Sequence, residues 1–286
     1  MRWTGRRERF RAILSGNACI HPGSVFDPIS ARIAEDLGFE AGMFAGSVAS
    51  MTVLGAPDLI VLTLSEFADQ AHRICRAGEL PLLVDADHGY GNALNVMRTV
   101  EELETAGIAA MTVEDTVLPR PFGESEARLL SVDEGVGKMK AALEARRDPS
   151  LVIIGRTSAP GVTDMNDAIA RARAYEAAGV DALFFVGVTS FDQIDRLAGA
   201  VSLPIMLGST PPALADRIAL AERRVRIALQ GHAPFAAAVE AIHATLSALR
   251  AGTPPQDLER LATAERMADV TRERDYRRWT RDFLGG

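Results

Sequence analysis

Eight short apolar runs alternate with Ala-rich helical stretches along the first 230 residues, at 19–26, 41–46, 81–87, 109–115, 151–157, 182–187, 203–209 and 226–230. Strand-length runs separated by helices are what a parallel sheet needs, because each return to a parallel neighbour requires a crossover, usually a helix. A phrase recurs at three helix-to-strand junctions: Gly38-Phe39-Glu40-Ala41, Gly107-Ile108-Ala109-Ala110 and Gly179-Val180-Asp181-Ala182. In each, the glycine can take the left-handed turn that ends a helix before an apolar residue opens the next strand. The junctions lie 69 and 72 residues apart, so two βα units separate each pair. An open doubly wound sheet would show a phosphate loop such as G-x-G-x-x-G after its first strand, and this chain has none there. The pattern predicts an α/β fold, a (β/α)8 TIM-type barrel over residues 1–250, followed by a helical extension over 251–286.

The 286 residues are 48% hydrophobic and 24% charged, enough to fill such a core. A net charge of -7, with basic residues dispersed among acidic ones, excludes an extended nucleic-acid surface. No apolar run approaches the roughly 18 residues that would span a membrane. Cys19 and Cys75 are too few for a disulfide framework or a four-ligand zinc site, and suit reduced thiols of a cytoplasmic protein. Arg2, Arg6, Arg7, Arg9 and Arg11 sit in a first segment that lacks the apolar stretch of a signal peptide and reads as an amphipathic surface helix. After the eighth run come helical residues 234–250, a break at Gly252-Thr253-Pro254-Pro255, and a last stretch, 258–283, with apolar residues at partly helical spacing. That exceeds what one barrel needs to close, so the extension packs on its own barrel or is lent to a neighbouring subunit.

In a barrel of this kind the active site forms at the C-terminal ends of the strands. The third run ends in Asp85-Ala86-Asp87-His88-Gly89-Tyr90-Gly91 and the fourth in Thr112-Val113-Glu114-Asp115. Asp85 and Asp87, two apart, face one side of their strand, with Glu114 on the next strand. Three carboxylates at one mouth repel unless a cation sits among them, and oxygen ligands with open positions point to Mg2+, with Mn2+ the other candidate. The competing reading is that these acids cap helix N-termini. The fifth run supplies Arg156, whose planar fork suits a substrate carboxylate, or which only neutralises the acids. The second ends in Phe44-Ala45-Gly46-Ser47, where small residues let the backbone of Gly46 and Ser47 approach a carboxylate or an enolate oxygen. His232 follows the eighth run, at the mouth, facing the substrate end farthest from the metal. Packing explains His21, His72 and His243, and His88 should point away from Asp87.

Together and in this order, these segments resemble the phosphoenolpyruvate mutase/isocitrate lyase superfamily from about residue 10 to 250, above all in Asp85-x-Asp87-x-Gly89-Tyr90-Gly91, Glu114-Asp115 and Arg156-Thr157. The resemblance implies that Asp87 ligates Mg2+ directly while Asp85 and Glu114 hold its waters. It implies that Ser47, Asp58 and Arg156 hold a small α-keto acid or its enolate, Asp58 lying in a Gly55-Ala56-Pro57-Asp58 phrase similar to one in the lyases of the family. It also implies a homotetramer, a dimer of dimers.

Two departures narrow the activity. Lyases of the family carry a Lys-Arg-Cys-Gly-type loop after strand four, whose cysteine protonates the enolate product, whereas this chain reads Pro119-Arg120-Pro121-Phe122-Gly123-Glu124-Ser125. They also carry a glutamate after strand six, where this chain has Phe185-Val186-Gly187-Val188. Retro-aldol cleavage must deprotonate a hydroxyl and reprotonate a carbanion, so losing both groups argues against it. Decarboxylation of a β-keto acid needs neither, and the combination is most similar to the branch that converts oxaloacetate to pyruvate and CO2 in a Mg2+-dependent reaction. The alternatives are a methylisocitrate-lyase-like C–C lyase with its acid elsewhere, a C–P bond enzyme, and a barrel that binds keto acids without turnover.

Overall fold

The computed structural model describes residues 3–285, so Arg2 lies outside it. Eight parallel strands pair in chain order: β1 (Gly23–Ser24), β2 (Gly42–Phe44), β3 (Leu82–Asp85), β4 (Ala110–Glu114), β5 (Val152–Thr157), β6 (Ala182–Phe185), β7 (Ile205–Leu207) and β8 (Val225–Ala228). Ile20, just before β1, closes the sheet on itself by a parallel bridge to Ile227 of β8. Its N–H donates to the Arg226 carbonyl at 2.9 Å, and its carbonyl accepts from the Ala228 N–H at 3.0 Å. Every strand falls within or across one of the eight apolar runs, and each is shorter than its run, because residues at the run ends leave the ladder to build loops.

The three junction glycines do what their position requires. Gly107 and Gly179 end their helices at φ +100° each, and Gly38 turns at φ +81° just past its helix. Helix starts are fixed by side-chain caps: Asp27, Thr63, Asn92 and Ser190 each form a reciprocal capping box, a device worth about 1 kcal/mol per cap.

Two apolar layers follow from the alternation along each strand. Met43, Leu83, Ala110, Val152, Ile154, Phe184, Met206 and Ile227 fill the barrel interior, while Phe44, Val84, Met111, Ile153, Phe185 and Leu207 face the surrounding helices. The interior layer also contains Phe10 and Leu14. The first helix, Thr4–Ser15, is therefore not the surface helix its arginines suggest: it stoppers the barrel at the N-terminal end of the strands. Arg7 is 1% exposed and donates to the Ile108 carbonyl at 3.0 Å, the Glu104 carbonyl at 2.7 Å and Asp148 at 2.8 Å. Arg6 pairs with Glu79 at 2.8 Å, and Arg11 reaches the carbonyls of Ser150 and Leu151 and the Asp181 carboxylate. The cations thus satisfy carbonyls and acids ahead of β3 to β6, which explains why a barrel-plugging helix carries so many of them.

The chain divides into two compact units, Met1–His232 and Ala233–Gly286. The second is helical: Ala233–Arg250, then Ala264–Thr271 and Glu273–Leu284, the last two separated by Arg272 at φ +61°. No residue of Ala233–Arg250 is buried, and Val239, Ile242, Leu246 and Leu249 form an exposed apolar stripe along it. No helix among the described residues is long and apolar enough to cross a membrane.

Candidate active site

The inward rows of three adjacent strands run from apolar to charged as they approach the C-terminal mouth. On β3 the row is Leu83 then Asp85; on β4 it is Ala110, Thr112, Glu114; on β5 it is Val152, Ile154, Arg156. A cavity of about 470 Å³ opens there, lined by Ser47, Asp58, Asp85, Asp87, Glu114, Arg156 and His232 among others. The site residues read from the sequence are thus gathered at one place, except Gly46, which stands directly behind Asp87. A Cβ on Gly46 would lie 2.4 Å from Asp87 Oδ2 and 2.8 Å from Oδ1. Glycine is needed there to leave room for the carboxylate.

None of Asp85, Asp87 and Glu114 caps a helix, which removes that competing reading. Asp85 pairs with Arg156 Nη1 through Oδ2 and accepts from Thr112 Oγ1 at 2.7 Å through Oδ1. Arg156 Nη2 lies 3.4 Å from Glu114, whose Oε2 accepts from Thr116 Oγ1 at 2.7 Å. The guanidinium stands 5.3 Å from the Phe184 ring centroid, a cation over an aromatic face. Asp115, one residue beyond Glu114, points to the other side of the sheet, fully buried and bonded to Arg171 at 3.0 Å and to the Tyr175 hydroxyl at 2.6 Å.

The charges do not balance. Burial first, then the fields of Asp85 and Glu114, push the Asp87 carboxyl well above the usual carboxylate range, and Arg156 offsets this only in part. Burial also raises Glu114, against the pull of Arg156. Burial works against the charge of Arg156, but the three carboxylates raise its pKa, so it stays a cation. Two guanidinium groups, Arg156 and Arg120, against four lining acids leave room for a further positive charge.

The donor set fits a cation held mainly through water. Among the described residues no three acidic, histidine or cysteine side chains converge into a ready-made metal cage, because Asp85 is turned toward Arg156 and Thr112. Mg2+ keeps several waters and takes one or two carboxylates directly. Asp87, the one of these three acids that forms no ion pair among the described residues, suits the direct position, and Asp85 and Glu114, both held by Arg156, suit contacts through water.

The turn that carries Asp87 is wound through the left-handed region: Asp87 at φ +46°, Gly89 at +75°, Tyr90 at +61° and Gly91 at +147°. For the two non-glycine residues this conformation costs about 1–2 kcal/mol each, so the surroundings must enforce it. A Cβ on Gly89 would lie 2.4 Å from Val96, a second reason for glycine there. His88 is buried with Nδ1 unpaired, and burial, then Lys138, push its pKa down to about 4.

On the opposite side of the mouth, His232 Nδ1 lies 2.9 Å from Ser24 Oγ. Burial lowers its pKa while Asp85 and Asp58 pull the other way. Asp58 stands exposed at the rim on the loop after the π-helical turn Ser50–Leu54. His21 donates its Nδ1–H to the Ala228 carbonyl at 2.7 Å, whereas His72 and His243 are exposed on helices rather than packed. Both cysteines are free and buried, and burial pushes Cys19 to about 11 and Cys75 to about 12. Neither lines the cavity.

Four participants were not singled out from sequence. Thr112 shares the inward face of Glu114 two residues away, so strand parity alone could have shown it. Ser24 needs the β1–β8 closure, Arg120 needs the course of the loop that brings it to the cavity wall, and Lys138 needs the packing of its helix against the mouth.

A sequence model of the family described as phosphoenolpyruvate phosphomutase matches residues 10–250. The oxaloacetate decarboxylase of a Bradyrhizobium species is 60% identical over 284 residues, covering 99% of each chain. Among solved structures, a phosphoenolpyruvate phosphomutase from Streptomyces platensis subsp. rosaceus superposes with a TM-score of 0.86 at 27% identity, covering 97% of this chain and 99% of that one. A phosphonopyruvate hydrolase complexed with oxalate and Mg++ does so at 0.85 and 27%, covering 98% and 99%. With its family match spanning the whole barrel and its motif residues gathered at one mouth, this chain belongs to the phosphoenolpyruvate phosphomutase family.

Proposed function

We propose that the protein is a divalent-metal-dependent oxaloacetate decarboxylase, releasing pyruvate and CO2. The content of the cavity carries this reading. Acids suited to a metal and a fixed guanidinium share one mouth, while the loop after β4 contributes only Leu118 and Arg120. Neither can donate a proton at neutral pH. The decarboxylase named above, identical at 60% of positions over the whole chain, supports the same assignment.

Asp87 would hold the metal directly, and Asp85 and Glu114 would hold it through water. Mg2+ is the first choice for an all-oxygen donor set, in keeping with the Mg++ of the related hydrolase complex, and Mn2+ the second. When bound, the metal supplies Lewis acidity at the C1 carboxylate and C2 carbonyl of the keto acid. Arg156, kept charged by its acids, places a fixed positive charge where the C2 oxygen gains electron density. The backbone of Ser47 offers a donor to the same end of the substrate, while Gly46 behind Asp87 leaves room for its carboxylate. Asp58 stands at the rim and orders the entering dianion by repulsion from the wrong end. The C3–C4 bond breaks, its electron pair passes to C2 and its oxygen, CO2 leaves, and the pyruvate enolate takes a proton from water at C3.

The apolar stripe on Ala233–Arg250 supports a self-associating protein, a tetramer built as a dimer of dimers. Two free buried thiols suit the cytoplasm.

The deciding experiment incubates purified protein and Mg2+ with oxaloacetate, methylisocitrate and phosphonopyruvate separately and follows pyruvate. Rapid release from oxaloacetate alone is expected. Faster turnover of either other substrate would replace this reading with a C–C lyase or a C–P bond enzyme.

A further inference from the structure

The strained turn at Asp87 raises the question of what holds it. Three successive carbonyls leave that turn, and each is pinned by a different element. The Asp87 carbonyl accepts from the Glu114 N–H at 2.9 Å, the His88 carbonyl from Lys138 Nζ at 2.8 Å, and the Gly89 carbonyl from Thr99 Oγ1 at 3.0 Å. The first is the continuation of the β3–β4 ladder. The other two come from side chains of the helices Val132–Ala145 and Ala93–Ala106.

Lys138 is 3% exposed, deep for an ammonium, and Thr99 is fully buried. Burying a charged ammonium is unfavourable unless it is paired or bonded, and Lys138 lies in the negative field of Glu134, Glu114 and Asp115 while donating to a main-chain oxygen next to Asp87. It does not line the cavity, so it cannot touch substrate. Its ammonium sits where it braces the left-handed turn from behind and lies in the field of the β4 acids.

We infer that Lys138, with Thr99, is a positioning residue: it locks the Asp85–Gly91 turn in the conformation that aims the Asp87 carboxylate at the metal. The inference rests on the metal reading above for its consequence, but the brace itself exists without metal.

The test uses the full-length protein and two readouts. Hydrogen exchange of the metal-free protein follows the amides of 85–91, where the Gly89 N–H donates to the Ala86 carbonyl at 2.8 Å. Mn2+ affinity is measured by electron paramagnetic resonance. Lys138→Met keeps the length of the side chain and removes the donor; it should speed exchange across the turn at least tenfold and weaken Mn2+ binding about 10–100-fold, the usual cost of losing a supporting contact behind a ligand. Lys138→Arg, which restores a cationic donor, should recover most of both. Ile194→Ala, a buried substitution on a remote helix, should lower the unfolding temperature and leave both readouts unchanged. Should Lys138→Met fail to fold, Thr99→Val carries the same two expectations. Wild-type exchange and Mn2+ affinity in the variants would overturn the inference, as would equal losses in Ile194→Ala. A wild-type protein that binds no Mn2+ would defeat the metal reading alone, and the exchange data would still decide the brace.

Discussion

Gly46→Ala separates the site from the fold more sharply than removal of any charged group. The added Cβ would sit 2.4 Å from Asp87 Oδ2 and 2.9 Å from its Cγ, where ordinary contact begins at 3.4 Å. The Asp87 carboxylate must therefore retreat by about 1 Å, a displacement that costs on the order of 100-fold in rate when it misplaces a reacting group. That factor is about 2.7 kcal/mol of transition-state stabilisation. The fold should barely respond. Gly46 is not in the left-handed region, it begins a short helix where alanine is the better former, and the obstructing atoms are the end of a side chain that can swing. Expected results are an unfolding temperature within a few degrees of wild type, about 100-fold lower kcat on oxaloacetate with Mg2+, and weaker Mn2+ binding. In an Asp87→Ala background the same substitution should have no further effect on metal binding, since its target is gone. Wild-type kcat and metal affinity in Gly46→Ala would refute the placement of Asp87 and the role derived from it.

The other expectations concern single groups. Asp87→Ala should reduce turnover to the solution rate, and Asp85→Ala or Glu114→Ala should weaken metal binding about 10–100-fold; full activity of the Asp87 variant after exhaustive chelation would reject the metal site. His232 has its pKa lowered by burial, against Asp85 and Asp58, so it stays neutral to a lower pH than a free imidazole, with Ser24 on one nitrogen and Arg156 sharing the cavity. Turnover should fall only as pH drops below the ordinary histidine range of about 6.5, and His232→Gln should retain far more activity than His232→Ala; equal kinetics for all three would make it structural. Arg120, exposed on the cavity wall, should serve binding rather than chemistry, so Arg120→Gln should raise KM with little change in kcat, measured at two ionic strengths. Light scattering at micromolar concentration should give a tetramer, and a monomer would end the proposal for the apolar stripe.

The parts legible in the sequence are those with local causes. Strand parity placed Asp85 beside Glu114, glycine after three of the helices placed those junctions, and the acids announced themselves by their mutual repulsion. What escaped depends on contacts between segments far apart in the chain. The Thr4–Ser15 helix looks like a surface helix because five arginines precede or lie within it, yet the partners of Arg6, Arg7, Arg9 and Arg11 are carbonyls and acids from about 70 to 170 residues away. Gly46 invites a reading as a backbone donor, while its demand for space comes from Asp87, 41 positions later. Lys138 belongs to the same class: on a helix face it is one cation among many, and only packing turns it toward the His88 carbonyl.

The distribution of charge around the cavity also bears on which bond breaks. Strands β3, β4 and β5 bring Asp85, Glu114 and Arg156 to one side, whereas β7 and β8 bring Gly208, Ser209, Leu229 and then His232 to the other. A divalent metal joining Arg156 would offset the charge of Asp85, Asp87 and Glu114 and place positive charge next to the C2 oxygen on that side. A substrate carboxylate lying toward Leu229 and a neutral His232 would have weak solvation and no cation from β7 or β8 beside it. Decarboxylation carries negative charge away from that carboxylate, which ends as neutral CO2, and toward the C2 oxygen. The transition state is therefore favoured at both ends relative to the bound ground state. Retro-aldol cleavage of a hydroxy acid runs the other way at its first step, since a base must take a hydroxyl proton and keep it. On this side of the mouth the candidate bases are His232, whose burial disfavours the protonated form it would become, and Asp58, exposed at the rim. The same asymmetry that lets CO2 leave thus makes a lyase reaction the harder one for this cavity.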